Sequence, residues 1–361
     1  MDEFVVKFRP SSSFREEVPS HTLFGAICWR YLELFGEDEL VALLSSFRTG
    51  NPNFVVSSVF PYINSDDNDD DLLFFPKPIR ELSRGNAGLP KQKYGFEKLK
   101  NFKKIEWVSE TVFSKILNGL GEEEVFAAAC SDDDGAGIKG SFRIPNDNEK
   151  IIVSSEELDK GMPFSFFKEE LVQKNSISRL TGKTRDGGGL YSASENFYED
   201  NAGLFFLLSC SDNSIGKLKA AMRLMADTGI CGDKTSGKGQ LNLVGIHKLE
   251  KSVTGLKTEG KGPARFVSLS RFYPGTTASL GGTDPVSYKI VNIRPKSQLG
   301  GSNPWKASVR LFTEGSIFTA SERRDFYGTC PIVKKTAGKE IIEYGLAYPA
   351  FFTNTKEISE E

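Results

Sequence analysis

Gly229-Ile-Cys-Gly-Asp-Lys-Thr-Ser-Gly-Lys-Gly239 is the stretch from which the rest of the chain can be read. Eleven residues hold four glycines, two lysines and two hydroxyls. Glycine lacks a Cβ, so the backbone can turn tightly and approach a ligand closely. Consecutive backbone N–H groups in such a turn form an anion-binding concavity. Two readings stay open from the residues alone. The loop cradles a phosphate, or it is a plain helix C-cap and connection with Gly229 just past the helix end. Apolar residues at helical spacing precede it (Ile215, Leu218, Met222, Met225), and an alternating run follows (Leu241, Leu243, Gly245, His247, Leu249). Gly232-x-x-x-x-Gly237-Lys238 nearly spells the phosphate loop of nucleotide hydrolases. The Ser or Thr that would hold Mg²⁺ is Gly239, however, and the order is helix–loop–strand rather than strand–loop–helix. That order suits a loop touching a nucleic-acid backbone.

The N-terminal half reads outward from this point. Residues 3–9 form a strand pattern, and Ser20 is placed to cap a helix carrying Leu23, Ile27, Tyr31 and Leu34, which Gly36 stops. Apolar runs at 54–62 and 72–75 flank an aspartate-rich turn. The run 203–210, the helix 214–226 and the strand 240–249 complete a β-α-β-β-α-β unit. Between the halves of that unit lies a long insertion, about 76–163, with helical spacing at Val112, Ile116 and Leu117 and a hairpin-like pair of runs at 142–144 and 151–153. Residues 175–191 read as a hairpin with a glycine-rich tip, and 252–263 as a linker. A strand-rich, helix-poor domain follows. The fold class is α+β.

Net charge is −2, which by itself does not suggest a nucleic-acid binder, but its distribution is uneven. Residues 77–104 carry Lys77, Arg80, Arg84, Lys91, Lys93, Lys98, Lys100, Lys103 and Lys104 against Glu81 and Glu97 alone. Local basic patches, not totals, govern phosphate binding. This half of the insertion carries few apolar residues for either core and reads as a flap or thumb added to a formed fold, to lie over a nucleic acid, or else as a docking surface for a neighbouring subunit. The acidic clusters at 66–71 and 132–134 read as solvated turns, not metal sites. Five scattered cysteines without C-x-x-C spacing and only two histidines (His21, His247) argue against zinc and for reduced thiols. No cofactor is expected. No apolar run approaches the roughly 18–20 residues of a membrane span, and the opening residues carry no signal-peptide pattern. The expected location is cytoplasmic, without membrane association.

Several motifs now converge. Ser20-His-Thr-Leu-Phe-Gly-Ala-Ile27, Asn175-x-Ile-x-Arg-Leu-Thr181 with Gly189-Leu-Tyr191, and the loop 229–239 resemble the RAMP superfamily of CRISPR proteins. Arg271-Phe-Tyr-Pro274, Ser287-Tyr-Lys-Ile290, Phe312-x-Glu-Gly-Ser316 and Tyr344-Gly-Leu-Ala-Tyr-Pro349 sharpen the resemblance to the fourth Csm subunit of type III-A effector complexes. The glycine loop alone marks only the superfamily; the order of all the motifs is specific. The resemblance implies two ferredoxin-like (RRM-like) domains, 1–251 and 264–354, and an acidic tail, 355–361. It implies a non-catalytic subunit of a cytoplasmic ribonucleoprotein. Such a subunit grips the 5′ repeat-derived handle of the guide RNA (crRNA), docks the large polymerase-like subunit, and contacts a backbone RAMP subunit. The alternative is a RAMP endoribonuclease that processes precursor RNA. That role would need a histidine base, and the sequence offers few.

The RNA-binding residues expected from the motifs and the resemblance fall in four groups. Gly232, Lys234, Thr235, Ser236, Gly237, Lys238 and Gly239 form the loop. Asn175, Arg179, Lys183 and Arg185 lie on the hairpin, where an arginine can fork onto a phosphate or base edge. Ser20 and His21 sit at a positive helix end; His21 reads either as a phosphate or sugar contact or as a partly buried capping-region residue. Tyr273 is placed to stack on an unpaired base or, with Phe272, to close the second core.

Overall fold

The computed structural model describes residues 1–64, 71–80, 96–130, 141–178, 180–184, 189–249, 262–275, 283–296, 303–336 and 338–353. Its largest feature is a nine-stranded mixed sheet. The strands are β1 (Asp2–Pro10), β2 (Phe54–Val56), β3 (Phe60–Ile63), β4 (Leu72–Pro76), β5 (Trp107–Ser109), β6 (Phe142–Arg143), β7 (Ile151–Ser154), β10 (Ala202–Cys210) and β11 (Leu241–Lys248), with β8 (Phe167–Asn175) and β9 (Leu190–Tyr198) forming a separate hairpin. The order is β11-β1-β10-β3-β4-β5-β7-β6, with β2 also on β10. Only the β5–β7 pairing is parallel. Every residue of β10 (AGLFFLLSC) is buried, as a continuous apolar run requires of a central strand covered on both faces. Gly203 is there because a Cβ would lie 2.1 Å from the Tyr62 ring on the neighbouring strand.

The main helices are α1 (Ser20–Phe35), α2 (Glu37–Arg48), α3 (Phe96–Lys103), α4 (Glu110–Leu117), α5 (Glu122–Cys130) and α6 (Asp212–Thr228). Gly36, at φ 84°, ends α1 and opens α2. The expectation that Gly36 ends the helical stretch misses this second helix, which buries Leu43 and Phe47 with Leu40 and Leu44 packed beside them. Ser20 does not cap α1. Pro19 holds the cap position, Ser20 is the first helical residue, and its N–H is taken by the Ser58 hydroxyl at 2.9 Å. The run 54–62 is two strands, because Ser57 and Ser58 interrupt it and turn buried hydroxyls inward.

The basic stretch is less of a flap than its composition predicts. Leu99, Phe102 and Ile105 are buried in the main core, where Phe102 meets Phe126 edge-on at 5.0 Å. Lys77 pairs with Glu122 at 2.7 Å and lies 4.3 Å from the Phe102 ring. Arg80 donates to Leu120 O at 2.8 Å. Part of the charge therefore points inward. The acidic run 132–134 and most of 66–71 lie outside the described residues; Asp71 is described and pairs with Lys7 at 2.7 Å.

The C-terminal half builds a four-stranded antiparallel sheet from β12 (Ala264–Ser268), β13 (Thr283–Ser287), β16 (Ile317–Ala320) and β21 (Pro349–Phe351), in the order β13-β16-β12-β21. Three pairs flank it: β14 (Ile290–Ile293) with β15 (Val309–Phe312), β17 (Tyr327–Gly328) with β20 (Leu346–Ala347), and β18 (Ile332–Thr336) with β19 (Lys339–Ile342). The two halves share one core. Val267, Leu269, Ile317, Tyr344 and Tyr348 belong to the same buried cluster as β1, α1 and β10. The Tyr344 hydroxyl accepts from Val56 N–H (2.9 Å) and donates to Val56 O (3.0 Å), while Tyr348 donates to Glu3 at 2.7 Å. No described helix is long and apolar enough to cross a membrane.

Candidate nucleic-acid interface

The glycine loop hangs between the end of α6 and the start of β11. Gly229 closes α6 at φ 77°, and Gly239 at φ 69° lets the chain re-enter the sheet, where a Cβ would lie 2.0 Å from Ile230 O. Between them Cys231 (φ 69°) and Asp233 (φ 59°) also occupy left-handed backbone, which is uncommon for residues with side chains and commoner for Asp than for Cys. Lys234–Ser236 make one 3-10 turn. Gly232, Thr235, Ser236 and Gly237 form the exposed crest, with open space around both glycines. The Ser236 hydroxyl folds back onto Asp233 O at 2.8 Å. A small pocket of about 150 Å³ opens beside the crest, lined by Phe14, Arg15, Glu16, Cys231, Gly232, Lys238 and Gly239.

A buried charge network, which the sequence reading missed, holds the loop in place. Glu195 of β9 is fully buried. Lys174 Nζ lies 2.8 Å from its Oε1 and Lys238 Nζ 2.7 Å from its Oε2, to which the Ser13 hydroxyl also donates at 2.6 Å. Burial pushes this carboxyl up, but the bonds from Lys174, Lys238 and Ser13 outweigh it and hold Glu195 at about 2. Asp233 is gripped at 3.2 Å by both Lys174 and Arg15, and the Lys174 bond holds its carboxyl below the usual value. Three segments distant in sequence are thus tied together: the chain after β1, the β8–β9 hairpin and the loop. No spacing rule reveals this, since Ser13 and Glu195 are 182 positions apart.

The expected contact residues fare unevenly. Lys238 is not a free cation; it donates to Ser13 Oγ at 2.9 Å and pairs with Glu195. Gly239 is buried. Lys234 is half-buried, and burial with nearby Arg30 lowers its ammonium; among the described residues it has no ion pair. Asn175 ends β8 one residue after Lys174, which pairs with Asp233, so the structure does bring the tip-side end of β8 to the loop. The hairpin is longer than 175–191, spanning Phe167–Tyr198, and its outer part exposes Leu171, Ile177, Leu180, Leu190 and Tyr191. Lys183 is exposed near its tip. Arg179 and Arg185 lie outside the described residues.

Ser20 and His21 stand apart from the loop network. Ser20 is fully buried, and its hydroxyl accepts the Arg271 N–H at 3.0 Å, so it joins the two halves and is not offered to a ligand. The helix end is also occupied: Ser58 takes the Ser20 N–H, and Pro19 O takes those of Thr22 and Leu23. His21 is held down to about 3, by burial first and then by Arg271 and Lys306. It is therefore neutral at physiological pH and brings no positive charge to a phosphate. Tyr273 packs partly buried against Val309, Leu311 and Val333, and Phe272 is wholly buried.

No family model matches the chain. Among curated proteins, a CRISPR system protein Csm4 from Thermococcus onnurineus is 23% identical over 354 residues, covering 97% of this chain and 96% of that one. Its counterpart from Methanocaldococcus jannaschii is 25% identical over 243 residues, 61% of this chain; the match spans little more than half of that relative, 57%. The chain resembles the fourth Csm subunit from end to end. Solved structures agree in fold. A chain of the Csm3–Csm4 subcomplex of a type III-A CRISPR-Cas interference complex superposes with a TM-score of 0.59 at 21% identity, covering 96% of this chain and 99% of that one. A chain of a Csm1–Csm4 cassette in complex with pppApA gives 0.56 at 18% identity, with 97% of each covered.

Proposed function

We propose that this chain is the guide-binding Csm4-type subunit of a type III-A CRISPR complex, without catalytic activity of its own. It grips the 5′ handle of the crRNA and docks the large polymerase-like subunit at one end of a cytoplasmic particle, next to a backbone RAMP subunit. The observation that carries the proposal is the likeness to a curated Csm4 over 97% of the chain. The strand orders support the two ferredoxin-like units. β11-β1-β10-β3 is the 4-1-3-2 order of a β-α-β-β-α-β unit, and β21-β12-β16-β13 repeats it without described helices. The glycine loop supports an RNA-backbone contact through its exposed crest and Lys234, with the end of β8 at Lys174 and Asn175 brought to it. Lys238 then acts as a strut that shapes the loop. The processing-nuclease alternative lacks support at His21, whose low basicity and burial make it a poor general base.

Co-purification from the native host followed by sequencing of the bound RNA tests the proposal. Guides with one defined 5′ end, recovered with a large subunit and a backbone subunit, are the expected result. Recovery of no RNA, or specific cleavage of repeat RNA by the purified chain with Mg²⁺ that vanishes in His21→Ala, overturns it.

A further inference from the structure

A second cationic surface lies on the C-terminal half, built from none of the loop and hairpin residues. Between Asp284 and Glu314 the sequence holds five basic residues and no acidic one: Lys289, Arg294, Lys296, Lys306 and Arg310. Lys306 is used internally, paired with Glu343 at 2.8 Å. The β14–β15 register fixes the face that Arg310 takes. Val291 faces Leu311 and Ile293 faces Val309 across the pair, and these four pack inward against Val333. Residues of opposite parity stand on the other face, where Asn292 and Arg310 lie opposite each other and exposed; Ile290 lies opposite Phe312, whose ring turns in against Phe272 and Phe318. Beyond β14 an isolated bridge sets Lys296 opposite Trp305. Arg294 Cζ lies 5.3 Å and Lys296 Nζ 4.7 Å from the centre of the Trp305 ring. Trp305 is 41% exposed, and Tyr288, 48% exposed, stands edge-on to Phe312 at 5.2 Å. Among the described residues no carboxylate pairs with Arg294, Lys296 or Arg310.

We infer that this outer face is a binding surface for single-stranded nucleic acid. Cations supply backbone contacts, and Trp305 and Tyr288 supply platforms on which unpaired bases stack. Both cations lie over the indole, so the charges that meet phosphates stand within reach of the ring on which a base stacks. A base pair buried in a duplex offers no face to such a ring, so single strands are the occupant. The inference stands apart from the handle-binding role of the glycine loop and does not require it.

Intrinsic fluorescence of the full chain reads this surface, because Trp305 is the exposed one of three tryptophans; Trp29 and Trp107 are partly buried. A short fluorescein-labelled oligouridylate, its oligothymidylate analogue, an RNA duplex of equal length and polyglutamate are the probes. Both single strands, or the RNA alone, are expected to quench a component that is missing in Trp305→Phe. By anisotropy, Trp305→Ala should bind about tenfold more weakly while Trp305→Phe keeps most of the affinity. Arg294→Gln with Lys296→Gln should lower the log–log salt slope by about 1.4, roughly 0.7 for each phosphate no longer neutralised. Absence of quenching, quenching by polyglutamate or duplex equal to that by oligouridylate, or unchanged affinity and slope in these variants overturns the inference. A Lys234→Ala chain retains the Trp305 signal whether or not the glycine loop binds RNA, so the two readings fail separately.

Discussion

Glu195→Gln replaces the one carboxylate on which Lys174, Lys238 and Ser13 converge with a neutral group of the same shape. In the folded chain this carboxyl is held at about 2 against an ordinary 4.5, so its charged form is favoured by the fold. About 2.5 units at about 1.36 kcal/mol each give on the order of 3 kcal/mol at neutral pH. The folded value is depressed, so the contribution is fully present above the ordinary carboxylate range. It declines as pH falls below about 5 and is lost on passing the folded value near 2; by pH 3 less than half remains. Urea unfolding at several pH values measures it. At pH 7 the variant should lose about 2–4 kcal/mol with an unchanged m-value. The gap to the parent should close steadily below pH 5. A variant within about 0.5 kcal/mol of the parent at pH 7, or a gap that is flat from pH 7 to pH 3, would show that the pairing does not stabilise the fold.

Other consequences are quicker to check. Lys234→Ala should weaken guide-RNA binding about equally across sequences and lower the salt slope by roughly 0.7, with unfolding unchanged; an unaltered slope removes Lys234 from the RNA-facing set. Phe102→Ala should cost about 3–5 kcal/mol in urea unfolding, because the ring is buried against Phe126 in the shared core. A flap detached from the core would show no such loss. Tyr344→Phe leaves both Val56 backbone groups without their partner and should cost about 1–3 kcal/mol. Thermal melting should nonetheless stay a single transition, since both halves contribute to one core.

The fold was legible where apolar periodicity is strong. The all-buried run 202–210, the helix before Gly229 and the strand after it lie where their patterns put them, and the hairpin pair at 142–144 and 151–153 joins as β6 with β7. α2 was legible but passed over: Leu40, Leu43, Leu44 and Phe47 recur at helical spacing behind an acidic first turn, and all four pack on the core. Composition also misled at 96–105, where lysines surround the few apolar residues that do the packing. The loop as a feature was visible from its glycines. What the loop's residues do was not, because Lys238 looks like any surface lysine until Glu195 is brought to it from another strand. Ser20 fails for a similar reason: a serine opening a helix reads as a cap until Arg271 arrives at its hydroxyl from the other half.

The position of β1 bears on how the protein is made. It lies between β10 and β11, paired with residues 202–210 on one side and 241–248 on the other. During synthesis the first strand must therefore wait about 200 residues for its first neighbour. At roughly 5–20 residues per second, that is on the order of 10–40 s with an apolar strand, Phe4 to Phe8, unpaired on both edges. The hydroxyl of Tyr348 reaches Glu3 later still. Loop closure over such distances is slow compared with local helix formation, so the nascent chain carries an exposed apolar strand until β10 and β11 emerge. Truncations ending before residue 241 should accumulate as insoluble material rather than as a smaller folded unit.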